Sequence, residues 1–146
     1  MARLPDLHET AAERMRQTGR RYTPQRRELV EILEAAGSPV AIPQILRRRR
    51  RLKQSSVYRN LADLEAAGVV ERVITDEDHA RYELTEELTG HHHHLVCSKC
   101  GRVEDVAVPA PLEVQLDRSL DRLARRAGFA SVSHRLDLIG VCRDCG

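Results

Sequence analysis

Cys97-Ser98-Lys99-Cys100 and Cys142-Arg143-Asp144-Cys145 hold all four cysteines of the chain. Two Cys-x-x-Cys pairs, roughly forty residues apart, have the spacing of a tetrahedral zinc site in which each tight turn supplies two thiolates. All-cysteine ligation leaves no coordination position for water, so the chemistry is that of a closed structural zinc. Just upstream runs Gly90-His91-His92-His93-His94-Leu95-Val96. Leu95 and Val96 mark the start of a strand, and strand side chains alternate faces: His91 and His93 point one way, His92 and His94 the other. One run can therefore feed two separate metal sites. Imidazole with carboxylate suits an exchangeable Zn, Fe or Mn ion. These residues together predict a metal sensor with a structural staple.

The elements that must position them are readable from pattern. An amphipathic helix is expected over residues 7–17, and a second after Thr23-Pro24, which supplies an N-cap and a proline at the first helical position. Its apolar stripe is Leu29, Val30, Ile32 and Leu33, and Gly37 closes it. A third helix begins near Ala41 and ends in Arg47-Arg48-Arg49-Arg50-Arg51. Ser55 or Ser56 is expected to cap a fourth, with Val57, Leu61 and Leu64 on one face. Residues 69–74 and 80–84 read as two strands around a turn at 75–78. Helices followed by a two-stranded ribbon describe a winged helix-turn-helix over residues 1–84. Residues 85–90 read as a loose polar hinge. Residues 91–146 then form a small α/β unit: a strand pair around the first Cys-x-x-Cys, a helix over 111–127, and a last strand over 133–141 that delivers Cys142. The class is α+β. So small a sheet leaves an exposed edge, which predicts a homodimer through this half.

Composition narrows the function. Net charge is only +2 although 32% of residues are charged, and arginine is concentrated before position 60, which suits a nucleic-acid partner. The absence of Trp argues against stacking on single-stranded bases. No stretch approaches the roughly 20 apolar residues needed to span a bilayer, and no apolar signal segment opens the chain, so a cytoplasmic location is expected. In a reducing compartment paired cysteines read as metal ligands.

Ser56-Val57-Tyr58-Arg59-Asn60-Leu61, the run 91–100, Ser133-His134 and the closing Cys142-x-x-Cys145 together resemble the ferric uptake regulator family, in order and over nearly the whole chain. The resemblance implies a dimeric, metal-responsive repressor of metal-homeostasis genes that binds a double-stranded, A/T-rich, palindromic operator. It makes residues 55–67 the recognition helix in the major groove. Ser56 falls in its first turn, Tyr58 would pack on base edges and thymine methyls, and Arg59 would contact phosphate or guanine. Arg21 resembles the basic residue that enters an adjacent minor groove. The arginine run at 47–51 is either a solvated helix end or a source of nonspecific phosphate contacts.

The same resemblance assigns Cys97, Cys100, Cys142 and Cys145 to structural Zn(II), and Glu83, His92 and His94 to a regulatory ion, Zn(II) or Fe(II), with Mn(II) as a further option. A further family ligand, usually histidine, aligns with Pro39, which cannot bind metal. His79 or Glu71 would replace it. A cysteine found in zinc-uptake regulators aligns with Thr85, which weakens a strictly zinc-responsive reading. An additional site would use His91, His93 and His134 with Glu113, or with Asp117 one turn later.

Rival functions are a peroxide-sensing repressor of the same family, a zinc hydrolase or deaminase, and a metal buffer. Catalytic zinc needs an open coordination position beside a general base, as in His-Glu-x-x-His, or His-x-Glu with Pro-Cys-x-x-Cys. Neither pattern occurs in the chain, so no enzyme is expected. The basic front half argues against a buffer.

Overall fold

The computed structural model describes residues 6–74 and 80–146; the expected turn at 75–78 and His79 lie outside them. Helix α1, Leu7–Gln17, starts at Asp6, whose carboxylate accepts from the backbone N–H groups of His8 and Glu9 at 2.9 and 3.1 Å. Helix α2, Pro24–Ala36, starts where Thr23 accepts from Arg26 N–H. It stops at Gly37, which takes φ +63°, a left-handed conformation that glycine adopts without strain. Strand β1, Val40–Ala41, and helix α3, Ile42–Arg48, follow, with the Gln44 side chain accepting from Ala41 N–H at 2.8 Å.

Helix α4 spans Gln54–Ala66. Its N-cap is Lys53, with no side-chain cap bond, so neither expected serine cap forms. The helix begins before them because the Lys53 carbonyl already accepts from Val57 N–H at 3.0 Å. Strands β2, Val70–Val73, and β3, Arg81–Leu84, pair antiparallel, and β1 adds to the far side of β3, giving the order β1-β3-β2. The expected loose hinge is partly helical. Residues Glu86–Thr89 form a single turn, α5, favoured by acidic Glu86 and Glu87 at its N-terminus.

Beyond it, β4, His93–Cys97, lies between β5, Val103–Val106, and β6, Asp137–Gly140. The β4–β5 pair is antiparallel around the first cysteine turn, whereas β6 runs parallel to β4. Helix α6, Ala110–Arg126, provides the connection from β5 to β6 that crosses over β4.

The main apolar cluster among the described residues lies in the first half. Met15, Leu29, Val30, Ile45, Val57, Leu61, Leu64 and Val69 are essentially inaccessible, and Leu84 closes the cluster. In the second half α6 buries no residue and β6 is exposed along its length, leaving Leu112, Leu123, Leu138 and Ile139 open to solvent. An amphipathic helix and a free strand edge with that composition require another surface. No helix among the described residues is long and apolar enough to cross a membrane.

Candidate metal centres and nucleic-acid interface

Among the described residues three groups of ligand atoms assemble, each with its atoms within 4.8 Å of one another. The first is Cys97, Cys100, Cys142 and Cys145. Cys97 ends β4, and the chain turns at once: Gly101 N–H donates to Cys97 O at 2.9 Å. The second knuckle turns alike, Cys145 N–H donating to Cys142 O at 3.0 Å. The knuckles interlock. Cys142 N–H donates to Cys97 Sγ at 3.3 Å, and Lys99 Nζ to Cys145 O at 3.0 Å. No disulfide joins them.

Backbone N–H groups of Cys142, Cys100 and Lys99 lower the Cys97 thiol to about 6, while hydrogen bonding of its own thiol to the Cys142 and Cys100 sulfurs pushes Cys145 up to about 12. Four thiols this close cannot all ionise without a cation among them. A zinc ion would supply that charge, and the four-thiolate donor set fits it.

The second group is Glu83, His92, His94 and Asp105. His92 and His94 share a face two residues apart, and their rings meet edge-on with centroids 5.1 Å apart. Glu83, from β3, reaches over from the other sheet. Its Oε2 lies 3.0 Å from His92 Nε2 and its Oε1 3.0 Å from His94 Nε2. Asp105, on β5, is the register partner of His94 and brings its carboxylate to 3.9 Å from His94 Nε2 and 4.0 Å from His92 Nε2.

Both rings are held from behind. His92 Nδ1 is 3.0 Å from Gly90 O, and His94 Nδ1 is 3.1 Å from Asp137 Oδ1, so each presents Nε2 to the centre. Such anchoring fixes ring orientation and raises ligand basicity. Burial works to raise the Glu83 carboxyl, but His94 and His92 together outweigh it and hold it below the usual range. The Glu83 carboxylate in turn pushes His94 up to about 9.

Asp105 was not foreseen. Glu71, one of the two expected replacements for the ligand missing at Pro39, sits directly across from Glu83 in the ribbon, yet its carboxylate lies 3.6 Å from the Arg135 guanidinium and outside the cluster. His79, the other, is outside the described residues. Pro39 is fully buried, and beside it Ser38, Glu83, His92 and Asp105 line a cavity of about 170 Å³.

The third group is His91, His93, Glu113 and His134. Glu113, from the first turn of α6, bridges it, with Oε1 3.0 Å from His91 Nε2, Oε2 2.9 Å from His93 Nε2, and Oε1 2.8 Å from His134 Nε2. Asp117, the expected rival, contacts the other side of the His134 ring at 3.2 Å from Nδ1. Glu86 of α5 does the same for His91, at 3.0 Å from Nδ1, and is the main cause of that ring's raised pKa. Hydrogen bonds from His93, then His91, hold the Glu113 carboxyl low.

Among the described residues the buried side-chain polar atoms without a well-directed hydrogen bond are Glu83 Oε1, His93 Nδ1 and His134 Nε2, although Glu83 Oε1 and His134 Nε2 keep their ion-pair contacts to His94 and Glu113. All three belong to these two clusters. Buried polar atoms are ordinarily well satisfied, so poorly directed contacts concentrated here fit sites built for a cation.

On the opposite half, α4 buries Val57, Leu61 and Leu64 and turns Tyr58, 52% exposed, and Arg59 outward, with Ser56 half-buried in its first turn. Arg21 is exposed in the loop between α1 and α2. The arginine run divides: Arg49 and Arg51 both bind Glu28, at 3.0 and 2.8 Å. Among the described residues Arg47, Arg48, Arg50, Arg21 and Arg59 have no carboxylate partner, which leaves their charge available to phosphate.

The ferric uptake regulator family model matches residues 17–139. The ferric uptake regulation protein of Rhizobium leguminosarum bv. viciae is 32% identical over 142 residues, covering 94% of this chain and 95% of its own. The peroxide operon regulator of Bacillus subtilis is 28% identical over 92% of this chain and 90% of its own. The Helicobacter pylori ferric uptake regulator, whose structure is described as revealing three functional metal-binding sites, superimposes with a TM-score of 0.73 at 26% identity, over 99% of this chain and 97% of that one. With an α+β fold, a four-cysteine cluster and two histidine–carboxylate clusters in one polypeptide, this chain belongs to the ferric uptake regulator family of metal-binding, DNA-binding transcription regulators, which are not enzymes.

Proposed function

We propose that the protein is a cytoplasmic, homodimeric repressor of metal-homeostasis genes whose DNA binding depends on a divalent ion held by Glu83, His92, His94 and Asp105. The observation that carries this reading is the origin of those ligands. Glu83 belongs to the β1-β3-β2 sheet, His94 and Asp105 to the β5-β4-β6 sheet, and His92 immediately precedes β4, with residues 85–90 between the two sides. Without a cation, Glu83 already bridges the two halves through His92 and His94. A bound ion supplies positive charge that holds both carboxylates and both rings at one point. Residues 1–84 then take a fixed angle to the dimerising residues 91–146, and the two α4 helices of a dimer acquire the separation of successive half-sites. In this reading Arg21 enters a minor groove while Tyr58 and Arg59 face the major groove, with Ser56 at the helix start. Cys97, Cys100, Cys142 and Cys145 hold a structural zinc that keeps β6 and the C-terminus on β4. His91, His93, Glu113 and His134 form an additional site that adjusts the same half.

The donor set of two imidazoles and two carboxylates suits Zn(II), Fe(II) and Mn(II). Operator-like duplex binding by the zinc-clipped dimer, titrated against buffered Zn(II), Mn(II) and anaerobic Fe(II), identifies the ion. Glu83→Ala and Asp105→Ala should abolish the response to it. A response unaltered in both variants would sink the reading.

A peroxide-responsive repressor is the second reading, favoured by the Bacillus subtilis relative and by the carboxylate Asp105 beside two imidazoles. Exposure of the Fe(II)-loaded protein to peroxide would then add oxygen to His92 or His94 and release DNA. Release without any histidine adduct would argue against it.

A further inference from the structure

Arg26 lies on the first turns of α2, in the basic half, yet its side chain is only 12% exposed. Its guanidinium is directed inward at three acceptors. Nε donates to Asn60 Oδ1 at 3.1 Å, Nη1 to the backbone carbonyl of Arg21, and Nη2 to Asp63 Oδ2. The other Asp63 oxygen accepts from Arg20 Nε at 2.9 Å, and Asn60 Nδ2 donates to Gln25 Oε1 at 3.2 Å. Asn60 and Asp63 sit one turn apart on α4, the helix that presents Tyr58 and Arg59. One side chain therefore grips both the backbone of the loop that carries Arg21 and the helix that carries Tyr58 and Arg59.

A planar fork engaged on three sides fixes direction as well as distance, which a flexible ammonium does not. So little exposed area leaves a phosphate almost nothing to contact. On the DNA-interface reading above, we infer that Arg26 and Asp63 are a positioning pair: they set the spacing between the minor-groove arginine, Arg21, and the major-groove residues Tyr58 and Arg59, and so set operator discrimination instead of adding charge to the interface.

Charge alone makes the opposite prediction for Asp63. Removing a carboxylate near a phosphate backbone strengthens DNA binding; removing a positioning carboxylate weakens it at the operator. The test uses the full-length dimer saturated with the ion that gives the wild type its tightest operator binding. Affinity is measured across a salt series for an operator duplex and for a scrambled duplex of equal length, in Asp63→Asn, Arg26→Gln, Arg26→Lys and the double Arg26→Gln/Asp63→Asn. Each single substitution should lower operator affinity about tenfold or more, the loss expected from breaking charge-assisted hydrogen bonds. Scrambled-duplex affinity and the salt slope should stay near wild type, and the double should be no worse than either single.

Three results overturn the inference: tighter operator binding by Asp63→Asn, rescue by Arg26→Lys with a salt slope reduced by about one in Arg26→Gln, as for a phosphate contact, or operator and scrambled affinities falling together with the melting temperature. Arg21→Ala and Arg59→Ala, measured alongside, separate the two levels. If neither weakens operator binding, the DNA-interface reading itself fails; if both do while Arg26 and Asp63 substitutions have no effect, only the positioning role fails.

Discussion

The two halves of this molecule are built on different physics. Residues before 85 enclose Met15, Leu29, Ile45, Leu61 and Leu64 away from water, and four helices and a three-stranded sheet share that burial. Residues after 90 bury Cys97, Val103, His93 and His94, of which only Val103 is an ordinary apolar core residue. Their helix and last strand keep apolar side chains in solvent. The first half is held by the hydrophobic effect; the second is gathered around clusters of ligand atoms and leaves apolar faces for which the proposed dimer supplies a cover. On the proposed function such a division is useful, because the half that would answer to metal is the half whose order would depend on it.

The sharpest break of the comparison is removal of the zinc clip. Cys97→Ser with Cys142→Ser, or strong chelation, should remove most of the order of residues 91–146, since binding free energies of about 10–16 kcal/mol are reported for structural zinc in small domains and act there as folding free energy. Hydrogen exchange read by segment should show protection lost beyond residue 90 and retained in α2 and α4. Loss in both halves together would mean that the first half does not stand alone.

The converse break is Leu61→Ala. Leu61 is 0% exposed, and the resulting cavity should cost about 2–5 kcal/mol. Thermal melting should fall while the stoichiometry of cysteine-bound zinc is unchanged. A smaller effect is expected of Asp137→Asn, which loosens the anchor behind His94. Loss of such an outer partner lowers metal affinity about 10–100-fold, and competition with a chelator should find the deficit at the Glu83 cluster and not at the Glu113 cluster. The smallest effect is expected of Glu71→Gln, which breaks an ion pair to a half-exposed Arg135; such pairs contribute roughly 0–1 kcal/mol, and denaturant midpoints should move little.

What could be read without coordinates followed the same division. The helix limits at Leu7, Gln17, Pro24 and Gly37 were legible because caps and apolar stripes are local. The splitting of four histidines between two sites was legible because strand alternation is local too, and it extends through His91 and His92 although β4 begins at His93. Asp105 was missed because its place depends on the register of β5 against β4. That register was within reach: counting back across the Cys97–Val103 hairpin sets Asp105 opposite His94. The choice between Glu113 and Asp117 turns on how α6 packs over β4, which spacing on a helix leaves open. The turn at α5 was hidden by its brevity, and the cap of α4 by a backbone bond to Lys53, two residues before the first serine, Ser55.

The histidine run has one more property. Shifting an ordinary strand by one residue exchanges its faces and exposes its core; shifting four consecutive histidines by one position leaves an imidazole at three of the four places. The run is nearly blind to its own alignment. Cys97, three residues further along the same strand, is not: its sulfur meets Cys142 only when β4 sits opposite β6 with Cys97 against Gly140. The cysteine knuckle thus acts as the ruler for the histidines: once the two knuckles interlock, the rings at 91–94 have a single alignment.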